Sequence, residues 1–351
     1  PARLVFEGKA GSAVVISLID MGGRLRMICQ DIECVKPILP MPNLPVARVM
    51  WRAMPNLTDG VECWITAGGA HHTGLFFDVS AEQMKDLCID VLRAFVNLCE
   101  KHNLKYFLAG GTLIGAVRHQ GFIPWDDDID VSMPRADFEK FQQLTANGKV
   151  EHYSIRSIDL TPEIYCRPFI RLVNDQYIAQ VNVEEKFIPP WIDIHALDGL
   201  PTDLEENEKH WSTARYYKGW SKRTRTPMSE EKSFIRGILK RIVYFPMYLR
   251  GPVYAARKLI EHGKKYDFYD SEYIASYCAG YGKRERMPGW YFKDGEAKLY
   301  FEGILCSVPP HYDLVLSHMY GKNYLTLPPE SKRKKHMVKV WKLTDKQEEL
   351  I

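Results

Sequence analysis

The pattern of hydrophobic and polar positions divides the chain into two unlike parts. Up to about residue 77, short apolar or alternating runs are separated by Gly and Pro, which indicates strands joined by turns. The runs are residues 4–6, 13–19, 25–29, 47–51 and 61–65. Several short strands with such turns predict a small N-terminal antiparallel β-barrel or sandwich.

After Ser80 the apolar residues recur at helical spacing, and Glu82 gives this predicted helix an acidic start. They are Met84, Leu87, Cys88, Val91, Leu92, Phe95 and Cys99. A short strand is predicted at 106–108, and α/β character continues from there. We therefore predict two domains, residues 1–80 and 81–351, with the boundary between 78 and 90.

The overall composition, with 46% hydrophobic and 26% charged residues, is typical of a soluble globular protein. A net charge of +3 is too small to indicate nucleic-acid binding. The eight cysteines lack zinc-ligand spacing, and no stretch approaches the roughly 20 apolar residues of a membrane span. These features predict a cytoplasmic protein with reduced thiols. Since the chain begins at Pro1, we expect a processed chain or a fragment, and the lack of a signal peptide carries little weight.

A candidate phosphate-binding turn follows the strand at 106–108. Gly110 and Gly111 end this strand, and a helix is predicted to begin at Thr112. Glycines let the backbone approach a ligand closely, and a helix start offers free N–H groups and a positive dipole end. A Gly-Gly turn is more often plain chain geometry, so this prediction depends on its neighbours.

Four carboxylates follow within five positions, namely Asp126, Asp127, Asp128 and Asp130. If Ile129 and Val131 pack into the core from a strand, the alternation of side chains sends Asp128 and Asp130 to the opposite face. Two ionised carboxylates beside an apolar core repel each other unless a cation lies between them. Mg²⁺ or Mn²⁺ suits this arrangement, because such ions bind few carboxylates together with substrate phosphates.

A third carboxylate, Asp193, lies between Ile192 and Ile194 in another apolar run. Its pattern fits a metal-site residue and a hydrogen-bonded structural residue equally well. A divalent cation held by such carboxylates would neutralise charge on a transferring phosphate.

Residues 211–265 are rich in Lys and Arg, with Tyr, Trp and Phe interleaved and few acidic residues. One interpretation is the solvated face of a helix. The other is a basic aromatic surface that holds a lipid-linked or anionic glycan near a membrane.

The stretch AGGTLIGAVRHQGFIPWDDDIDVSMPRADFEKF, residues 109–141, is similar to the signature of the LicD family of bacterial phosphocholine transferases. The fukutin and fukutin-related ribitol-phosphate transferases are more distant relatives. The resemblance continues, in order, through WIDIHALDGLP, FEGILCSVPPHYDLVL and YGKNYLTLPPESKRKKH, and covers about residues 85–340. It implies an α/β (α+β) nucleotidyltransferase-like core of the polymerase-β type, with the basic stretch as a helical insertion.

The resemblance also implies roles for particular residues of this chain. The implied donor-binding residues are Gly110, Gly111, Thr112, Arg118 and His119. The implied catalytic residues are Asp128, Asp130 and Asp193, and the implied metal ligands are Asp126 (or Asp127), Asp128, Asp130 and Asp193. Asp193 is the candidate general base or second-metal ligand. For Arg118 and His119 the alternative is an exposed helix end.

The implied function is Mg²⁺- or Mn²⁺-dependent transfer of phosphocholine from CDP-choline to a hydroxyl of a cell-surface glycan precursor. Teichoic acid, lipopolysaccharide and capsule precursors are the expected acceptors, lipid-linked if the basic stretch contacts the inner face of the membrane. CDP-ribitol and CDP-glycerol are alternative donors. A non-catalytic fusion product is the alternative from a different class.

Residues 1–23 and the stretch AGGAHHT at 67–73 resemble the C-terminal domain of L-arabinose isomerase, over about residues 1–80. In that family the second histidine of AHHT, His72 here, is one of four ligands of the catalytic metal. The other three lie upstream in the family and are absent from this chain. One imidazole does not make a metal site, so we expect an isomerase remnant without isomerase activity.

Overall fold

The computed structural model describes residues 3–7, 15–19, 25–29, 48–52, 61–67, 70–79, 81–126, 128–146, 152–162, 165–181, 186–225, 234–277, 281–329, 337–342 and 345–346. The chain divides into two compact units. The first contains Pro1–Lys85, Asp175–Pro190 and Met337–Ile351, and the second contains Asp86–Asn174 and Trp191–His336.

The strands are β1 Arg3–Glu7, β2 Val15–Ile19, β3 Leu25–Cys29, β4 Arg48–Arg52, β5 Val61–Ala67, β6 Ala70–Val79, β7 Phe107–Leu108, β8 Asp130–Pro134, β9 Tyr153–Arg156, β10 Ile170–Asn174, β11 Tyr177–Val181, β12 Lys186–Ile188, β13 Trp191–Leu200, β14 Tyr273–Ala275, β15 Arg286–Pro288, β16 Ala297–Phe301, β17 Ile304–Val308, β18 Met337–Lys342 and β19 Asp345–Lys346. The helices are α1 Ala81–Lys101, α2 Gly110–His119, α3 Arg135–Ala146, α4 Leu204–Arg225, α5 Phe234–Val243, α6 Phe245–Gly263, α7 Trp290–Lys293 and α8 Tyr312–Tyr320, with a 3₁₀ helix at Gly282–Glu285.

The first unit is built from antiparallel strands. β1, β2 and β3 form one sheet, and a second sheet has the order β12-β11-β18-β6-β5-β4, with β19 also pairing with β6. The five strands predicted before residue 66 are present within two residues of their expected bounds. β6 comes from the isomerase-like segment and pairs with β18 from the LicD-like part. A barrel or sandwich, and the domain boundary near residue 80, stay predictions; the side chain of His72 lies outside the described residues.

The second unit has a mixed sheet with β13 at its centre. The order is β15-β14-β13-β10-β9, and β8 pairs with both β13 and β7. β8 runs parallel to β13, whereas β10 and β14 run antiparallel to it. All ten residues of β13 are buried. A strand that is covered on both faces can hold a charged side chain only if a partner compensates the charge.

The predicted helix after Ser80 is confirmed as α1. Its seven predicted apolar positions are each at most 8% exposed. The Phe95 ring contacts the rings of Tyr106 and Phe141, with centroids 5.1 Å apart in both cases. This aromatic cluster packs α1 against α3 and the entrance to β7. The basic stretch is helical, as predicted, and forms α4, α5 and α6.

Two further findings concern the thiols and the membrane. The cysteines that the structure describes with their side chains are thiols outside any disulfide, namely Cys88, Cys99, Cys166 and Cys306. Burial raises the pKa of Cys306 to about 12, so this thiol stays protonated. Within the described ranges, no helix has the length and apolar character needed to span a membrane.

The start of the acidic loop is fixed by close packing around Gly115. A Cβ at Gly115 would lie 2.3 Å from the carbonyl oxygen of Gly121. The loop is also hydrogen-bonded to the turn between β16 and β17. The Phe122 N–H donates to Glu302 Oε1 at 2.9 Å, and the Glu302 N–H donates to the Gln120 carbonyl at 2.9 Å. The aspartates that follow therefore start from a fixed backbone.

We expect the methyl group added by Gly115→Ala to cost about 1–3 kcal/mol, because it overlaps a backbone carbonyl. Alanine gains roughly 1 kcal/mol over glycine inside a helix, so the cost is the difference from a control substitution that has the same gain. Gly219→Ala in α4 is the matched control, since its Cβ would meet the movable end of Arg223 at 3.0 Å. Urea unfolding measures both. A Gly115→Ala protein as stable as the Gly219→Ala control would contradict the tight packing.

Candidate active site

The parallel pairing of β8 with β13 places two carboxylates side by side. Asp130, the first residue of β8, is the register partner of Asp193, and the Asp193 N–H donates to the Ile129 carbonyl at 2.8 Å. Ile129 and Val131 are 0% exposed, whereas Asp128 and Asp130 are half-buried. The alternation that the sequence predicts for this segment is therefore present.

Asp193 is held by an arginine on its other neighbouring strand. Arg171 of β10 lies opposite Asp193 in the antiparallel pair. Its Nε and Nη2 donate to the two carboxylate oxygens at 2.5 and 3.1 Å. Burial lowers the pKa of Arg171. The negative charge of Asp193, together with Tyr165 and Asp130, raises it by more, so the pKa of Arg171 lies above its usual value. This geometry is the bidentate arrangement, with two parallel N–H···O hydrogen bonds, that makes Arg–carboxylate pairs strong.

Asp130 is oriented by two different groups. Its Oδ1 lies 3.1 Å from His195 Nε2, and its backbone N–H donates to Thr112 Oγ1 at 2.9 Å. The His195 ring packs against Phe169, with centroids 4.6 Å apart. His195 was not predicted, although it lies two residues after Asp193 and therefore on the same face of β13.

The paired glycines at the start of α2 make room for carboxylates. A Cβ at Gly111 would lie 2.5 Å from Asp126 Oδ2, and a Cβ at Gly110 would lie 3.1 Å from Asp130 Oδ2. Gly110 also has φ +56°, a conformation that favours glycine. α2 begins at Gly110, two residues earlier than predicted. The acidic cluster thus lies against the helix start, and phosphate binding by this turn stays a prediction.

The remaining predicted donor-binding residues lie at two ends of α2. Thr112 is 4% exposed and supports Asp130, as described above. Arg118 and His119 are in the last turn, about 13 Å along the axis from Gly110 at 1.5 Å per residue. Arg118 reaches the Tyr324 carbonyl at 3.4 Å, and its Nε donates to His119 Nε2 at 2.9 Å. Burial lowers the pKa of both side chains. Contact of these two residues with the donor stays a prediction.

Two tyrosines face the acidic cluster. The Tyr320 hydroxyl donates to the Tyr281 hydroxyl at 2.7 Å, and the rings meet edge to face. Burial raises the pKa of both phenols, and the negative charges of Asp130 and Asp126 raise it further. Both phenols therefore stay protonated at neutral pH.

A cavity of about 520 Å³ opens beside these residues. Its polar lining includes Asp130, His195, Tyr281 and Glu285, and Gly110 lies at its edge. Leu, Met, Val and Phe side chains form much of the rest. Small-molecule sites typically have this size and this mixture of an apolar lining with a few polar groups.

The carboxylates fit a metal site in part. In the described part of the chain, which excludes Asp127, no group of three or more His, Cys, Asp or Glu side chains is arranged to hold a metal ion. Arg171 bonds both oxygens of Asp193, and Asp193 as a third metal ligand stays a prediction. Asp130 has a side chain that is 31% exposed, and with Asp128 it offers the hard oxygen donors that Mg²⁺ prefers.

Comparison with known proteins assigns both parts of the sequence. Residues 103–230 match the family described as "LicD/FKTN/FKRP, nucleotidyltransferase domain". The lipopolysaccharide cholinephosphotransferase LicD of Haemophilus influenzae is 30% identical over 258 residues, which are 72% of this chain and 94% of that protein. The chain belongs to the LicD family. It is accordingly a transferase, as the sequence predicts.

The isomerase-like segment is confirmed as well. Residues 1–91 match the L-arabinose isomerase C-terminal domain. L-arabinose isomerase 1 of Bacillus licheniformis is 58% identical over 86 residues, and the enzyme of Clostridium beijerinckii is 55% identical over 86 residues. These matches cover 24% of this chain but 17% and 18% of the two isomerases. The matched segment therefore spans less than a fifth of the length of these two isomerases.

We expect Arg171→Met to destabilise the protein by about 3–5 kcal/mol, because it leaves Asp193 as a buried charge without its partner. The double variant Arg171→Met/Asp193→Asn should recover part of this loss, since it removes both charges. Arg257→Met is the control: its contact with Asp159 is exposed and 4.0 Å long, so about 1 kcal/mol or less should be lost. Urea unfolding followed by tryptophan fluorescence measures all three. Equal effects of the Arg171 and Arg257 substitutions would contradict the buried pair.

Proposed function

We propose that this LicD-family transferase moves phosphocholine from CDP-choline to a hydroxyl of a cell-surface glycan precursor, with the help of Mg²⁺ or Mn²⁺. The name of the H. influenzae relative supports phosphocholine as the group transferred and a lipopolysaccharide as the acceptor. Teichoic acid and capsule precursors are further acceptors of the same chemical kind. A polymerase-β-type arrangement of the core belongs to the same proposal.

The observation that carries the proposal is the pairing of Asp130 with Asp193 beside the 520 Å³ cavity. Asp128 and Asp130 would hold the divalent cation, with Asp126 close by at the start of α2. When bound, such a cation neutralises negative charge on the transferring phosphate and its leaving group. The N–H groups at the start of α2 would bind the phosphate oxygens.

We assign His195 to the positioning of Asp130. His195 lines the cavity, and its Nε2 faces Asp130 Oδ1 at 3.1 Å, so this hydrogen bond orients the carboxylate that would hold the cation. Asp193 is not among the residues that line the cavity, and Arg171 bonds both of its oxygens. In this proposal Asp193 positions the site through Arg171 and the strand pairing, which changes the role expected from the sequence.

Two alternative donors would use the same scaffold. A third alternative is that the protein is not catalytic. CDP-ribitol or CDP-glycerol would require a cavity that suits a polyol. A non-catalytic fusion product would bind no donor. Two features favour a working site over a non-catalytic product. Asp193 is paired with Arg171, and Asp130 is bonded by Thr112 and His195, so both carboxylates can stay charged in their buried positions.

We expect release of CMP from CDP-choline that needs Mg²⁺ or Mn²⁺ and stops with EDTA. Asp130→Asn should lower the rate by about 100-fold or more, since loss of a cation ligand removes several kcal/mol of transition-state stabilisation. Asp270→Asn, at an exposed position, is the control and should keep the wild-type rate. The assay uses CDP-choline, CDP-ribitol and CDP-glycerol with extracted glycan precursors as acceptors. If the wild-type protein releases CMP from none of them, the proposed function is wrong.

We further propose that α5 and the start of α6 contact an anionic membrane surface. Six large apolar side chains are exposed here: Ile238, Leu239, Ile242, Val243, Phe245 and Leu249. Four of them, Ile242, Val243, Phe245 and Leu249, are between 57% and 71% exposed. From Lys232 to Ile260 the sequence has seven Lys or Arg and no Asp or Glu. A solvated helical face does not explain the apolar side chains, whereas an interfacial helix explains both features.

Wild-type protein should sediment with vesicles that contain anionic phosphatidylglycerol and bind neutral phosphatidylcholine vesicles far less. Ile242→Glu/Val243→Glu should weaken binding by about tenfold or more, because two exposed apolar side chains that would enter the membrane surface are replaced by charges. Leu204→Glu is the control, since Leu204 is 74% exposed but lies at the start of α4. An unchanged affinity of the double variant would contradict the assigned surface.

A further inference from the structure

A buried carboxylate on another element also lines the cavity. Glu285 is the last residue of the 3₁₀ helix and is 1% exposed. Its Oε1 accepts the Gly282 N–H at 2.9 Å and lies 3.4 Å from Lys218 Nζ. Its Oε2 is buried and has no hydrogen-bond partner. Burial raises the pKa of Glu285 to about 7, although Lys218 opposes this rise.

A half-satisfied buried carboxylate is costly, so its presence in a cavity points to a ligand that completes it. Lys218 supplies one long contact and remains 33% exposed. The second oxygen, Oε2, is therefore best compensated by a cation that enters the cavity. Among the residues described, Arg167 is the one Lys or Arg that lines this cavity, and its guanidinium lies over the Phe169 ring at 5.6 Å.

The cavity that Glu285 lines is rich in aromatic and apolar side chains. Tyr281 and Phe292 provide rings, and Met287 and Met319 provide thioether side chains. An ammonium with N–H groups, or a polyol, would need a hydrogen-bond partner for each N–H or O–H group that it buries. A quaternary ammonium has no N–H or O–H group, and it binds well to aromatic faces beside an anion.

We propose that Glu285, together with Tyr281 and Phe292, is the subsite for the quaternary ammonium group of the donor. Glu285 then selects a cationic alcohol over neutral polyols, which makes it the residue that determines donor specificity. This inference rests on the proposed function, because it assumes that the cavity takes the alcohol end of a CDP-alcohol.

The first test measures binding and needs no turnover. Calorimetry compares phosphocholine with 3,3-dimethylbutyl phosphate, in which carbon replaces the charged nitrogen. Wild-type protein should bind phosphocholine about tenfold or more tightly than the neutral isostere, since a desolvated cation gains from both the carboxylate and the rings. Glu285→Gln should lose most of this preference, since only the rings remain to favour the cation, while keeping its affinity for the isostere. Glu261→Gln, an exposed residue paired with Lys258 on α6, is the matched control.

A second variant tests the same idea in the opposite direction. Lys218→Met removes the cation that competes for Glu285, but it also removes a charge that lowers the Glu285 pKa, so binding is measured at alkaline pH, where the carboxylate is ionised. There phosphocholine should bind several-fold more tightly to this variant than to the wild-type protein, while the isostere is unaffected. Weaker binding of phosphocholine to this variant would overturn the subsite. So would an unchanged phosphocholine preference in Glu285→Gln, or a wild-type protein that binds neither compound.

The CMP-release assay separates failure of the subsite from failure of the proposed function. If the wild-type protein uses CDP-choline and Glu285→Gln still prefers it over CDP-glycerol, the subsite is wrong and the function stands. If no donor is turned over but phosphocholine binding depends on Glu285, the subsite stands and the function is wrong.

Discussion

Two carboxylates on adjacent parallel strands repel each other, and the second unit is arranged around this constraint. Asp130 and Asp193 are register partners next to the core, and β13 is buried over its whole length. Arg171 on β10 compensates the charge of Asp193, and His195 with Thr112 orients Asp130. The sheet order therefore matters chemically. It places β10 and its arginine on one side of β13 and β8 with its aspartate on the other.

The elements around this pair leave one side of it open. α2 starts with two glycines because Asp126 and Asp130 occupy the space that side chains would fill. The turn between β16 and β17 fixes the loop before the acidic residues. The cavity then connects Asp130 and His195 with Glu285 and its aromatic neighbours. Such a cavity can take a donor with a phosphate at one group of residues and a cationic alcohol at another, which is the chemistry of CDP-choline.

Local sequence patterns predicted the helices and strands well. They could not predict which strands that are distant in sequence pair with each other. The spacing of apolar residues predicted α1, and the alternation around Ile129 predicted which aspartates leave the core. Nothing in the order of residues indicates that Arg171 lies opposite Asp193, since this requires the β10–β13 register. Arg171 compensates the charge of Asp193, whereas the metal ion expected between Asp128 and Asp130 stays a prediction. Glu285 was missed for a similar reason, because its burial depends on packing.

The most direct test of the account is a crystal structure of the protein with CDP-choline and Mn²⁺, located by anomalous scattering. The account predicts a peak within about 2.5 Å of carboxylate oxygens of Asp128 and Asp130, near the ordinary range for such ions. The diphosphate should lie at the start of α2, with the Arg171–Asp193 pair intact. A peak coordinated by Asp193 with Arg171 displaced, or a nucleotide bound away from β8 and β13, would contradict it.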